Sequence, residues 1–386
     1  MTSDSVKQQL MGFVEQSTKL INANEHLFRF HWQYGEYKFF NIYLVYWFEQ
    51  EFNCWVEFVD RKVDVLKQEL AKISSIDENT DYDLIHLQRL RDRHDQDNKK
   101  LILLFSGGYD STYLFKKAVD NNIYFDKIVS STGISIDLPN AEEHKYNVIP
   151  WIKKYPQSCG EYRLNIISEE DFEEEYKDKN YIFNGPSYAM PRHAHWQWVA
   201  FKGEENSTYI RVETNAQIIH KQGKWYAAVL NKFFSGSQFL DLSQFWVDNE
   251  NIISFIRNAL RTKKYIIENY EISESEVQFF KPSNEELFDV LGFTELYNPK
   301  RQGIKNAMAH DNKLGYSRGY KDVTYLQWLV ANREDILMDI FRGIDYFYTT
   351  CGVTLDNHVE VLRSTGKFAW LIDLETLEVH KQTDIL

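Results

Sequence analysis

At 386 residues, 43% hydrophobic and 16% aromatic, the chain carries enough apolar side chains for two or three domains with real cores. A formal charge of -13 and a pI near 5.4 argue against a broad electrostatic grip on nucleic acid, while a local basic island stays compatible with phosphate. Cys54, Cys159 and Cys351 stand far apart with no C-x-x-C pair, so neither a disulfide framework nor a structural zinc site is suggested, which fits a reducing cytoplasm.

No basic-then-apolar leader is visible at Met1–Asp4, and no run approaches the roughly 18 apolar residues of a membrane span. A cytoplasmic protein without a membrane partner is therefore expected. Neither internal repeats nor low-complexity tracts occur. Phe28, Phe30, Trp32 and Tyr34 alternate with Arg29, His31 and Gln33, the period-two pattern of a half-buried strand, and an aromatic-rich segment runs from Tyr37 to Phe58. Val63, Leu66, Leu70 and Ile73 recur at helical spacing. The charged stretch Arg89 to Lys100 reads as a solvated helix face or linker, closing an N-terminal α+β module over 1–98.

Leu101 to Phe105 is an unbroken apolar run that stops at a Gly pair, as expected of a parallel strand buried on both faces. A helix is predicted next. Asp110 and Ser111 are N-cap types, Leu114, Phe115, Ala118 and Val119 form an apolar face, and Asn121-Asn122 is a stop. Lys127 to Ser131 reads as a second strand ending at Thr132-Gly133. The resulting β-loop-α-β unit implies an α/β domain over 99–270, built on a doubly wound, mostly parallel sheet. Tyr181 to Phe183 reads as a further strand running into the turn Asn184-Gly185-Pro186. Ile252 to Tyr270 is predicted helical, and Phe368 to Ile372 with the region of Val379 as strands of a smaller C-terminal subdomain, 271–386.

The loop Ser106-Gly107-Gly108-Tyr109-Asp110-Ser111 lies where a strand's carboxyl end meets a helix N-terminus. Backbone N–H groups and the positive end of the helix dipole converge there, and phosphate is the natural tenant. Gly107 and Gly108 let backbone approach phosphate closely, and Ser106 and Ser111 add hydroxyls. Asp110 would repel phosphate unless it caps the helix, orients the loop or helps to hold Mg²⁺, so a divalent ion is implied.

All five defined positions of this loop match S-G-G-x-D-S. The segment 99–135 thereby resembles the PP-loop ATP pyrophosphatases, which include asparagine synthetase, argininosuccinate synthetase, GMP synthetase, NAD synthetase and several tRNA-modifying enzymes. The resemblance implies that Ser106, Gly107, Gly108, Asp110 and Ser111 bind the phosphates of ATP that leave as pyrophosphate, and that the backbone at Ser130, Ser131 and Thr132 faces the adenine. It further implies Mg²⁺ as cofactor and a lysine or arginine from a C-terminal segment on the pyrophosphate. Lys300, Arg301 and Lys305, in the basic stretch Pro299 to Asp322, are the candidates; a solvated loop or an RNA-facing patch is the other reading of that stretch.

Absences narrow the family. The chain opens Met1-Thr2, unlike the N-terminal cysteine of a glutaminase, and lacks the cysteine sets of 7-cyano-7-deazaguanine synthases and of C-x-x-C thiolation enzymes. His193 and His195 have no carboxylate or cysteine set beside them, which favours a structural or substrate-contact role over a metal site, and Glu142, Glu143 and His144 are candidate substrate-facing groups or helix surface. The expected reaction is AMP-forming ligation: a carboxylate or amide oxygen of a small-molecule or peptide substrate is adenylated, and a nitrogen nucleophile then displaces AMP. A nucleobase- or tRNA-modifying or thiolating enzyme, and an ATP- or AMP-binding protein without turnover, are the alternatives left open.

Overall fold

The structure, a computed structural model, describes residues 4–23, 25, 30–39, 42–132, 147–166, 204, 206–212, 217–229, 242–245, 249–280, 282, 286–287, 289–291 and 370–385. The chain opens with α1 (Asp4–Ala23), followed by the hairpin β1 (Phe30–Tyr34) and β2 (Tyr37–Phe39). Helix α2 (Ile42–Phe52), strand β3 (Glu57–Asp60) and helix α3 (Val63–Ala71) complete this region. β1 lies between β2 and β3, antiparallel to both; Trp32 is in the core, but His31 on the opposite face is buried as well and Tyr34 is exposed, so the strand does not follow the half-buried alternation expected of it. The spacing of Val63, Leu66 and Leu70 gives α3 its buried face at Leu66 and Leu70.

Helix α4 (Tyr82–Asp97) begins at Asp81, whose carboxylate accepts the Leu84 N–H at 3.1 Å, and ends at Asn98 in the left-handed region, φ 51°. The charged run at its C-terminal half is thus helical, but only its outer side is solvated: Leu87, Leu90, Arg91 and His94 face inward. Arg91 is accommodated because its guanidinium is paired with Asp126 at 2.8 Å and Asp95 at 2.7 Å.

Five parallel strands make the central sheet: β4 (Lys100–Leu104), β5 (Phe125–Thr132), β6 (Cys159–Ile166), β7 (Ser207–Arg211) and, after an antiparallel pair outside this sheet, Leu242–Gln244. That pair is β8 (Gln217–Lys221) and β9 (Lys224–Val229), so the last strand of the central sheet is β10. The spatial order is β10-β7-β4-β5-β6. Helix α5 (Tyr109–Asp120) links β4 to β5, and α6 (Ile149–Lys154) precedes β6. Successive strands therefore leave the first one, β4, in one direction and then return to its other side. This is an α/β arrangement whose switch point lies between β4 and β7, and open sheets of this kind hold ligands outside the strand carboxyl ends at that point.

Burial on both faces explains the unbroken apolar run Leu101 to Phe105 that follows the exposed Lys100. Leu101, Leu103 and Phe105 join a cluster with Leu87 and Leu90 of α4, Leu114, Phe115 and Ala118 of α5, and Ile128 and Ile210 of the neighbouring strands. Ile102 and Leu104, on the opposite face, are equally buried, as are Val129 and Tyr209 beside them. Both faces of the sheet are covered.

A second apolar cluster unites the N-terminal helices and sheet with β8, β9, α7 (Ile252–Asn269), β11 (Gln278–Phe280) and β12 (Trp370–Asp373). β13 (Val379–Lys381) closes the sheet β11-β8-β9-β12-β13, antiparallel throughout, ahead of the short α8 (Gln382–Ile385). Trp370 donates its indole N–H to Asp60 at 2.9 Å, fixing the C-terminal hairpin to the N-terminal sheet. Sheet and core membership thus crosses the intervals 1–98, 99–270 and 271–386: α4 packs on the parallel sheet, and β8 and β9 pair within the sheet that holds the C-terminal hairpin. Among the described residues no helix is long and apolar enough to cross a membrane.

Candidate functional site

Phe105 extends the β4–β5 pairing one residue past the strand, its N–H donating to the Val129 carbonyl at 2.8 Å. The buried Ser130 hydroxyl donates back to the Phe105 carbonyl at 2.6 Å. Two adjacent carboxyl ends are thereby locked together, and the chain turns sharply at Gly107, which has φ +76° in the left-handed region that favours glycine. Gly108, in extended conformation, is the N-cap of α5, and Thr112 N–H to Gly108 O at 2.9 Å is the first bond of the helix. The amides of residues 109–111 precede it, at the positive end of the dipole.

The two serines of the loop act on each other. Gly108 N–H donates to Ser106 Oγ at 3.1 Å, the two hydroxyl oxygens are 3.1 Å apart, and Ser111 Oγ donates to Gly108 O at 3.2 Å. With the Ser111 proton on Gly108, the Ser106 proton goes to Ser111. A chain of three hydrogen bonds results that starts and ends on Gly108 and in which each bond polarises the next. This differs from the capping role expected of Asp110 and Ser111. The cap is Gly108 without a side-chain cap bond, and the Ser111 hydroxyl folds back on the cap residue's carbonyl because that acceptor lies within its reach. Asp110 sits half-buried in the first turn of α5, where the dipole favours a carboxylate.

Of the residues expected at the adenine, Ser130 turns its side chain into the protein, toward Phe105. Ser131 and Thr132 belong to the end of β5, in register with Asn165 and Ile166 of β6. Lys300, Arg301, Lys305, His193, His195, Glu142, Glu143, His144, Cys351 and the strand at Tyr181 lie outside the described residues. Cys54 and Cys159 are half-buried free thiols, and burial raises both above the usual thiol range. Among the described residues no group of three or more His, Cys, Asp or Glu side chains is arranged to hold a metal ion.

Asn147 belongs to the site and carries no sequence signal. Its buried amide donates from Nδ2 to the Gly107 carbonyl at 2.9 Å, across 40 residues of chain. A single asparagine ahead of a short helix has no periodicity or spacing that would single it out. Tyr162 of β6, whose hydroxyl meets Ser130, is equally silent in sequence; burial pushes its phenol up to about 12.

Comparisons with protein-family models, with curated proteins and with solved structures find no match.

Proposed function

We propose that the chain is an AMP-forming, ATP-dependent ligase of the PP-loop type. The observation that carries this reading is the sequence Ser106-Gly107-Gly108-Tyr109-Asp110-Ser111 at the carboxyl end of β4, the first and central strand of a parallel sheet, running directly into α5. Loop amides, the helix dipole and two hydroxyls are the donors that a pyrophosphate leaving group requires. The loop suits phosphate for a second reason: its tight turn at Gly107 and the absence of side chains at two successive positions allow close approach.

ATP supplies the reactive α-phosphorus, and Mg²⁺ supplies charge neutralisation on the departing pyrophosphate. Magnesium at nucleotide sites is held by one or two carboxylates together with phosphate oxygens, and Asp110, half-buried in the first turn of α5, would be the carboxylate that contributes to holding it. Ser106 and Ser111 exchange their mutual bonds for bonds to phosphate. An oxygen of the substrate attacks the α-phosphorus, pyrophosphate departs along the loop, and a nitrogen nucleophile displaces AMP. Lys300, Arg301 and Lys305 meet the charge that develops on the phosphoryl oxygens. The substrate is a small molecule or peptide, and the setting is a reducing cytoplasm.

Product chromatography after incubation with ATP and candidate amino acids, carboxylates and tRNA tests this reading. The expected products are AMP and pyrophosphate. ADP and phosphate as the main products would overturn it.

A further inference from the structure

We propose that Asn147 is a positioning residue of the 106–111 loop, holding the Gly107–Gly108 peptide with its carbonyl turned into the protein and away from the bound anion; this rests on the nucleotide reading above. The peptide unit is gripped at both ends. Its carbonyl accepts from Asn147 Nδ2 at 2.9 Å, and its N–H donates to Ser106 Oγ at 3.1 Å.

The grip matters because the unit is flanked by two glycines. Without a Cβ on either side, nothing steric opposes rotation of this peptide plane, which would put a carbonyl in place of an N–H at the surface of the loop. A carbonyl dipole pointed at a polyphosphate repels it, whereas the inward carbonyl leaves the amides and hydroxyls to face the anion. Asn147 makes the inward orientation the stable one. It is 6% exposed, and rotation of the peptide would break the bond from Nδ2 to the Gly107 carbonyl at a buried position, where a lost hydrogen bond costs most. The Ser106 hydroxyl alone cannot serve as the lock, since phosphate competes for it.

Asn147 also stands two residues before α6, ahead of its N-cap Val148, at the far end of the connection that leaves β5. The loop after the first strand and the element entering the third are thus joined through one side chain.

The test compares wild type with Asn147→Ala and the isosteric Asn147→Asp by titration calorimetry with Mg-ATP and with inorganic pyrophosphate, alongside hydrogen–deuterium exchange over residues 105–112. The proposal expects affinity for both ligands to fall about tenfold in Asn147→Ala, the equivalent of one hydrogen bond. It expects a larger fall in Asn147→Asp, whose carboxylate has no proton to donate at neutral pH. Exchange should rise in 105–112 and stay unchanged elsewhere. Affinity within twofold of wild type in both variants would overturn the anchor and leave the nucleotide site standing, and so would an affinity loss accompanied by faster exchange throughout the chain, the mark of a general packing defect. A wild-type chain that binds neither ligand overturns the nucleotide reading itself, and the anchoring role with it.

Discussion

Arg257 of α7 donates from Nη2 to Asp83 Oδ2 of α4 at 3.0 Å, joining two side chains that are 7% and 1% exposed and 174 residues apart in sequence. The same carboxylate accepts the Tyr113 hydroxyl of α5 at 3.0 Å and the Ser254 hydroxyl, while Arg257 also reaches the Thr80 carbonyl at 2.7 Å. One buried ion pair therefore fastens α4 to α7, the helix that belongs to the second core, and the Tyr113 hydroxyl ties α5, the helix that begins at the loop, to the same carboxylate.

Breaking this pair leaves a charge buried without its partner, a defect that costs about 3–5 kcal/mol. Asp83→Ala is expected to lower the unfolding free energy by that amount in urea titration. The double variant Asp83→Leu with Arg257→Met should recover much of it, since well-packed apolar side chains often replace a buried pair at little cost. A single-variant loss below about 1 kcal/mol would mean that the interior here is wetter than its burial indicates.

Acid should weaken the fold through His94. This ring is 4% exposed, with Nδ1 2.6 Å from the Leu90 carbonyl, and Nε2 meets no hydrogen-bond partner among the described residues. Burial, reinforced by Arg91, Lys99 and Arg93, holds its pKa below the ordinary value of 6.5, and burial does the same to His31. Because the folded value is the lower one, the unfolded chain binds more protons between the two values. The stability that neutral His94 permits is complete above pH 6.5 and is lost as pH falls from there through the folded value. Unfolding free energies measured from pH 8 to pH 5 should decline below about 6.5, and His94→Gln should flatten the decline without abolishing it, His31 carrying its own share. An unchanged slope in the variant would remove His94 as the source.

The basic segment is predicted to act on phosphate rather than on nucleic acid. Lys300→Ala, Arg301→Ala or Lys305→Ala should reduce turnover by about ten- to a thousandfold, with a smaller effect on ATP affinity, since a cation that meets developing charge acts on the rate. Parallel measurement of tRNA binding distinguishes the other role: unchanged turnover with weakened, salt-sensitive tRNA binding would reassign the segment.

Cys159 is predicted to be dispensable. Burial keeps its thiol protonated, and a protonated thiol is a poor nucleophile. Cys159→Ser should retain most of the ATP-dependent activity; its loss in a folded variant would favour sulfur transfer.

Local patterns carried much of this architecture. β4 and α5 are legible because a strand buried on both faces needs an unbroken apolar run, and because a helix on that sheet needs the spacing of Leu114, Phe115 and Ala118. α3 follows from periodicity in the same way, and the stretches read as helical over Ile252 to Tyr270 and as strands near Phe368 to Ile372 and Val379 contain α7, β12 and β13. What periodicity does not encode is partnership. The run Arg89 to Lys100 looks solvated because its charges are visible in sequence, whereas one of the two carboxylates that neutralise Arg91 comes from outside the run, from Asp126 on β5, beyond α5. At the site, the glycines and serines of the loop stand out by motif. Asn147 does not, because its role depends on the connection after β5 bringing it back over Gly107. The union of the N-terminal helices with β8, β9 and β12 in one core is likewise set by long-range pairing, for which a single sequence has no short-range signal.

Titration of Mg-ATP into wild type and into Asp110→Asn, followed calorimetrically, tests the nucleotide assignment of the 106–111 loop most directly. The substitution keeps the shape of the side chain and removes the charge that would take part in holding the metal. Saturable binding by wild type, with affinity at least about tenfold weaker in Asp110→Asn, is the result expected for loss of a carboxylate from a magnesium–phosphate site. Equal affinity in the two proteins, or no binding by wild type, would contradict it.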